Sequence, residues 1–397
     1  MDTILEEVGS AESELVEDRR WLHRHPEVGF DLPDTCAYVR RRLEEMGLTV
    51  REACQSGLVA EVGSAERGPC VMLRADMDAL PMAEETGLDY ASDNGCMHAC
   101  GHDGHTAMAL AAARVLKAHE DELNGLVRIV FQPDEEATAP TDDTGATALV
   151  EAGILDDPRV DAVFALHLYP TELPTGRFAT RKGALFSSAD DVEVIIEGHG
   201  CHGSVPHQGI DPLNIACHIY LGMENLIARE VDPSAHVALT FGLMEGGSAA
   251  NIIPESARLL GTLRTVSEPI RRHVQERAEI MVKDIAQAFG GRAEVGFLRG
   301  VPPVENNGDL VERVMGVAES LFDEPVIELE KPVSASDDLA VISQLAPTCY
   351  LLLGCGVEGK EEFGLHHPCM EVDESVLSKG AALLAACAFD YLNGEDR

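Results

Sequence analysis

The stretch HACGHDGH, residues 98–105, sets His98, Cys100, His102 and His105 within eight positions. Thiolate sulfur and imidazole nitrogen at this spacing suit a divalent cation such as Zn²⁺, Mn²⁺, Co²⁺ or Ni²⁺. Two other readings are open on these residues alone. Cys96 and Cys100 are candidates for a redox pair, although their spacing is not the C-x-x-C of such sites, and the histidines suit a solvated loop ahead of a helix. A second chemical stretch, FQPDEEAT, offers the adjacent carboxylates Glu135 and Glu136. Neighbouring side chains in a loop point in different directions, so one can hold a cation while the other takes a proton from water. A solvated acidic turn is the bland alternative.

Position decides between these readings. The apolar runs at 70–75, 126–132, 160–166 and 349–354 read as buried strands of a largely parallel sheet. Asp76-Met77-Asp78 follows the first, Asp134-Glu135-Glu136 the second and His167 the third, while a glycine-rich loop leading to His366 and His367 follows the fourth. Ligands of open α/β sheets bind outside the carboxyl ends of the strands, so polar residues collected there mark a site. An alanine-rich helix is predicted from Asp103 to about His119, with Asp103 as its cap.

Between 188 and 299 the pattern changes. Strands are predicted at 190–197, 236–244, 256–265 and 292–299 and helices at 211–230 and 268–289, the split β-α-β order of a ferredoxin-like α+β domain. The chain is therefore expected to build a first part of a catalytic α/β domain over 1–187, an inserted domain over 188–300, and the rest of the first domain over 301–397. Lys182-Gly183 and Val301-Pro302-Pro303 are the expected hinges.

With 397 residues of which 45% are hydrophobic, the chain can bury two or three cores. The 69 acidic side chains against 30 Lys and Arg leave a net charge of -39, a surface that at low salt repels itself and nucleic acid, so no nucleic-acid partner is expected. The acids are spread along the chain, which points to a high-salt, halophilic cytosol rather than a basic partner. The N-terminal MDTILEEVGS lacks a signal pattern, and no uninterrupted apolar run is long enough to span a bilayer. A cytoplasmic protein is expected, with no membrane partner. The 11 cysteines follow no disulfide framework.

The motifs RADMDALP, HACGHDGH, FQPDEE, HLYP, NIIPESA, GTLRT and LHHP, in this order along nearly the whole chain, resemble the M20 family of metal-dependent amidohydrolases and carboxypeptidases. The resemblance is greatest to its aminoacylase-like, hippurate-hydrolase-like and auxin-conjugate-hydrolase-like branch. It implies a zinc-exopeptidase-like catalytic domain with a lid and dimerisation domain, and hydrolysis of the amide bond of an N-acyl amino acid or related small conjugate. Small-peptide hydrolysis by a dipeptidase or carboxypeptidase is the alternative, and a non-catalytic metal-binding protein a remoter one.

Two divalent ions are implied, held by Cys100, His102, Glu136, His167 and His366, with His102 bridging, Glu135 the general base and Asp78 the orienting aspartate. His366 is preferred to His367 by the motif LHxP. The wider family has His-x-Asp where this chain has Asp76-Met77-Asp78, so Cys100 stands in for the missing ligand and Asp76 has no assigned role. His202 is implied to stabilise the oxyanion of a neighbouring subunit's site, and Asn251 and Arg264 to meet the substrate carboxylate. In SASDDLA the family carries Glu-Asp, and Asp337 reads as a helix cap.

Overall fold

Every residue of Cys70–Asp76, Leu126–Gln132 and Thr348–Gly354 is buried in the computed structural model, which describes residues 2–139, 143–360 and 362–394. Fully buried, largely apolar runs of this kind belong to parallel strands covered on both faces. Together with Val160–Tyr169 they form the parallel centre of an eight-stranded sheet. Its order is Val50–Glu52, Leu58–Gly63, Leu126–Gln132, Cys70–Asp76, Val160–Tyr169, Thr348–Gly354, Phe178–Thr180, Ile327–Glu328. Antiparallel strands flank the centre on both sides. The parallel register sets Asp76 beside Gln132 and Tyr169 beside Gly354, so the loops that follow leave from one edge.

His167 departs from the sequence expectation. The third strand runs on to Tyr169, which places His167 inside it rather than in the following loop.

The helix after HACG runs from His102 to Ala118 and is buried along most of its length, against the helices Leu377–Asn393 and Glu12–Arg24. Its N-cap is Gly101, at φ 86°, and not Asp103. The left-handed backbone there favours glycine. One turn on, a Cβ at Gly104 would meet Leu168 Cδ1 at 2.5 Å, so the missing side chain lets the helix start approach the strand end. Asp103 lies in the first turn, and buried cations claim its carboxylate: Arg19 Nε at 2.8 Å and His23 Nδ1 at 2.7 Å.

These elements belong to one compact unit, Met1–Leu185, Glu305–Lys331 and Val341–Arg397. The other comprises Phe186–Val304 and Pro332–Ala340. Its antiparallel sheet has the order Val237–Gly246, Ser256–Thr265, Ala189–Glu197, Arg292–Val301. The helices Pro212–Glu230 and Glu268–Ala288 pack on that sheet over Val192, Val194, Ile196, Leu259 and Leu263. Asp211 caps the first helix by accepting from Leu213 N at 2.9 Å. In the same unit Asp337 accepts from Leu339 N at 2.7 Å, the capping contact expected of it.

Candidate metal centre

Three strand-end loops, one helix start and the end of the strand Val160–Tyr169 supply the centre. The HACG loop delivers Cys100 and His102 from the N-terminus of their helix. His102 Nδ1 lies 2.8 Å from the Asp78 carbonyl, and a donor there fixes the tautomer that leaves Nε2 as the ligand atom. Asp78 Oδ1 is 3.4 Å from the same ring nitrogen, and Asp78 Oδ2 accepts the Glu136 N–H at 3.1 Å. One aspartate thus steadies both an imidazole and the loop that carries the carboxylates.

That loop is also held from its other end. Asp134, at φ 46°, accepts from Thr138 N at 2.9 Å and Ala139 N at 3.1 Å. Burial, with Asp78 nearby, pushes its carboxyl up to about 6. The turn so formed presents Glu135 Oε2 at 3.7 Å and Glu136 Oε1 at 4.0 Å from His102 Nε2.

His167 Nδ1 lies 2.6 Å from the Leu168 carbonyl, and its Nε2 faces Cys100 Sγ at 3.5 Å. His366, at φ 64°, brings Nε2 to 3.2 Å from Glu136 Oε1. His367 turns elsewhere, stacking on Phe363 and accepting from Cys369 N at 3.0 Å. The donor atoms of Cys100, His102 and His167 lie within 4.8 Å of one another, and so do those of Cys100, Glu136 and His366.

Cys100 Sγ is therefore the donor common to the groups containing His167 and His366. His102 in turn is common to the group with Cys100 and His167 and the group with Glu135 and Glu136. An imidazole Nε2 has one lone pair and His102 Nδ1 is occupied by Asp78, whereas a thiolate sulfur has several lone pairs to share.

The charges ask for cations. Burial pushes the Cys100 thiol well up, helped by Glu136, Glu135 and Asp76. Burial works against charge on His102 too, yet Asp76, Asp78 and Glu136 raise it to about 10. His102 Nε2 is buried with no hydrogen-bond partner, and the three carboxylates around it stand at 3.7 to 4.0 Å, beyond bonding distance. A nitrogen aimed at anions across such a gap, beside a thiol and two further imidazoles, fits divalent cations.

Asp76 and His105 are drawn into the same cluster but engaged with each other, Asp76 Oδ1 lying 2.6 Å from His105 Nδ1. His98, the remaining histidine of the motif, is buried with neither ring nitrogen hydrogen-bonded, and burial lowers its pKa to about 3. All 11 cysteines are free thiols, Cys96 and Cys100 included.

The segment RRWLHRHPE carries a role that the sequence reading missed. Arg19 and His23 grip Asp103, next to His102, and His23 Nε2 reaches Glu84 Oε1 at 3.0 Å. Burial opposes the Asp103 charge, but Arg19 and His23 hold its carboxyl well below the usual range. The available signal was Arg19 and His23 at helical spacing beside Leu15 and Leu22.

Within the second unit, His202 and Asn251 come together. The short strand Cys201–His202 pairs with Ile252–Ile253, and Gly203 N donates to the Asn251 carbonyl at 2.8 Å. His202 Nδ1 accepts from Ser204 N at 3.1 Å. Arg264 is not with them. It is the penultimate residue of Ser256–Thr265, whose first residue follows the Asn251 loop, so it stands ~27 Å along the strand at about 3.4 Å per residue. A single carboxylate cannot reach both within one copy of this unit.

The model of peptidase family M20/M25/M40 matches residues 72–390. The chain is 35% identical over 393 residues to the N-acetyl-L-cysteine deacetylase of Bacillus subtilis (strain 168), covering 98% of this chain and 91% of that one. Thermostable carboxypeptidase 1 of Saccharolobus solfataricus is 34% identical, with 99% of each chain covered. Among solved structures, the Bacillus subtilis YXEP protein, a dinuclear metal binding peptidase from the M20 family, superposes with a TM-score of 0.81. It is 31% identical over 97% of this chain and 99% of that one.

Proposed function

Because the chain belongs to peptidase family M20/M25/M40, we propose that it is a metal-dependent amidohydrolase that cleaves N-acyl amino acids and related amino-acid conjugates. The observation that carries this reading is the convergence of Cys100, His102, Glu136, His167 and His366 beside Glu135. These donors would hold two divalent cations. When bound, they supply a Lewis acid for the carbonyl and lower the pKa of water towards neutrality.

The chain's own residues do the rest. Glu135 takes the proton of the attacking water and returns it to the amide nitrogen as the C–N bond breaks. Asp78 holds the His102 ring and the Glu136 backbone during this transfer. His202 donates to the developing oxyanion, a contact whose loss commonly costs about 3 to 4 kcal/mol. Asn251 lies beside His202. Arg264, with its planar fork, suits the substrate carboxylate. Because Arg264 stands a strand's length from Asn251, the two serve one substrate only if they come from different copies of the chain. A homodimer through the Phe186–Val304 unit meets that need. The acid excess suits the cytosol of a halophile.

Hydrolysis of small peptides is the second reading, favoured by the likeness to the Saccharolobus carboxypeptidase. The deciding experiment sets acetyl, benzoyl and indole-acetyl amino acids against dipeptides, in high salt with Mn²⁺, Co²⁺ or Zn²⁺. Turnover confined to dipeptides overturns the first reading.

A further inference from the structure

Resting on the reading of the centre as a two-cation site, the inference concerns Asp76, which lies at the end of its strand 4.0 Å from His102 Nε2 and has donor atoms near those of His102 and His105. By proximity alone these residues could be counted as ligands. Their hydrogen bonds say otherwise. Asp76 Oδ2 accepts from Arg74 at 2.5 Å and Oδ1 from His105 Nδ1 at 2.6 Å. His105 Nε2 accepts the Leu168 N–H at 2.8 Å. A ring that donates at one nitrogen and accepts at the other is neutral and has no lone pair left for a cation.

The sheet explains why Leu168 needs this acceptor. The ladder between Cys70–Asp76 and Val160–Tyr169 ends at Arg74 and Ala165. Beyond Ala165 the longer strand has no ladder partner on that side, and a buried N–H left unpaired there is costly. His105 fills the place of the absent strand. Its ring also packs edge-on to His167, with centroids 4.7 Å apart at 65°. His167 in turn is tied through Nδ1 to the Leu168 carbonyl.

We propose that Asp76 and His105 are positioning residues and not ligands: with Arg74 they form a buried relay that holds the His167–Leu168 peptide and so aims His167 Nε2 at Cys100. The relay ties the start of the His102–Ala118 helix, just after Cys100, to the strand that carries His167, and a change at Asp76 alters the aim of His167 through His105.

The test uses the full chain in high salt. Asn at position 105 keeps a donor for Asp76 but offers no acceptor to Leu168, whereas Gln places an oxygen near the lost Nε2. Asp76→Asn keeps the size of the side chain while weakening the grip on His105. Cation affinity is read by titration with Co²⁺, alongside the Cys100-to-Co²⁺ charge-transfer band and thermal unfolding of the metal-free protein. H105N and D76N are expected to bind Co²⁺ about 10- to 100-fold more weakly with a shifted band, and H105Q to recover part of the loss. Affinity and band within twofold of the parent in both H105N and D76N overturn the proposal. So does clean loss of one cation per chain at saturating Co²⁺, which would make the pair ligands. Should H105N fail to fold, D76N alone decides. Parent protein that binds Co²⁺ normally but cleaves no amide sinks the functional reading and leaves this inference standing. Unaltered variants of an active parent do the reverse.

Discussion

His366 Nε2 lies 3.2 Å from Glu136 Oε1, which joins the loop after the last parallel strand to the loop after Leu126–Gln132. Burial opposes charge on Glu136, yet its hydrogen bond with His366 and the nearby His102 keep its carboxyl below the usual range. An ionised carboxylate is thereby kept for a cation while its neighbour Glu135 is left for proton transfer. This division of labour sets the first prediction.

Glu135→Gln keeps the size of the side chain and removes the base. Elemental analysis should find the metal content unchanged. Turnover of an N-acetyl amino acid should fall by about 10²- to 10⁴-fold, the usual worth of a positioned general base. A mutant at near-parent rate would falsify the assignment.

Cys100→Ala removes the donor common to both ligand groups. Even an outer hydrogen-bond partner of a ligand is commonly worth 10- to 100-fold in affinity, so loss of this thiol should cost at least about that. Equilibrium dialysis followed by elemental analysis checks this, and unchanged stoichiometry at limiting metal removes Cys100 from the ligand set.

Acid should loosen the scaffold behind the centre. Burial opposes charge on Glu84, but the hydrogen bond and charge of His23 hold its carboxyl down to about 2, against an ordinary 4.5. A folded-state pKa below the unfolded one gives stability that is full above about pH 4.5 and lost as the pH falls through about 2. Urea midpoints of the metal-free protein should therefore decline over that window, and less steeply in Glu84→Gln. Identical pH profiles for parent and mutant would show that the contact contributes nothing.

Salt should act on the whole chain. With a net charge of -39, self-repulsion reaches about 10 Å at 0.1 M salt and only about 3 Å at 1 M. Circular dichroism should show the fold retained in molar KCl and weakened at 0.1 M or below, with activity following. Full structure and activity in millimolar salt would remove the basis for a high-salt habitat.

Much was legible in the residues themselves. Short runs rich in apolar and β-branched residues and bounded by turns pointed to strands covered on both faces, so the four parallel strands followed from hydrophobic pattern. Alternation in Ala189–Glu197, with Val192, Val194 and Ile196 turned inward, likewise marked the second sheet. Cys100, His102, Glu135 and Glu136 could be named as chemical residues because thiol, imidazole and paired carboxylates are rarely set together without use.

Other matters depended on which distant groups meet in space. Sequence placed Asp103 at a helix start, where a capping role is the local expectation, but the buried Arg19 and His23 from another helix claim its carboxylate. Adjacent in the chain, His366 and His367 differ in one backbone turn that sends the first to Glu136 and the second to Phe363. Asp76 and His105 are separated by a loop and a helix start, and their pairing arises because a strand outruns its neighbour and leaves a buried N–H to satisfy. Local pattern therefore determined which elements form and which residue types they carry. Hydrogen-bond partners were decided only by tertiary packing, since each donor or acceptor is claimed by whichever buried group the fold brings within about 3 Å.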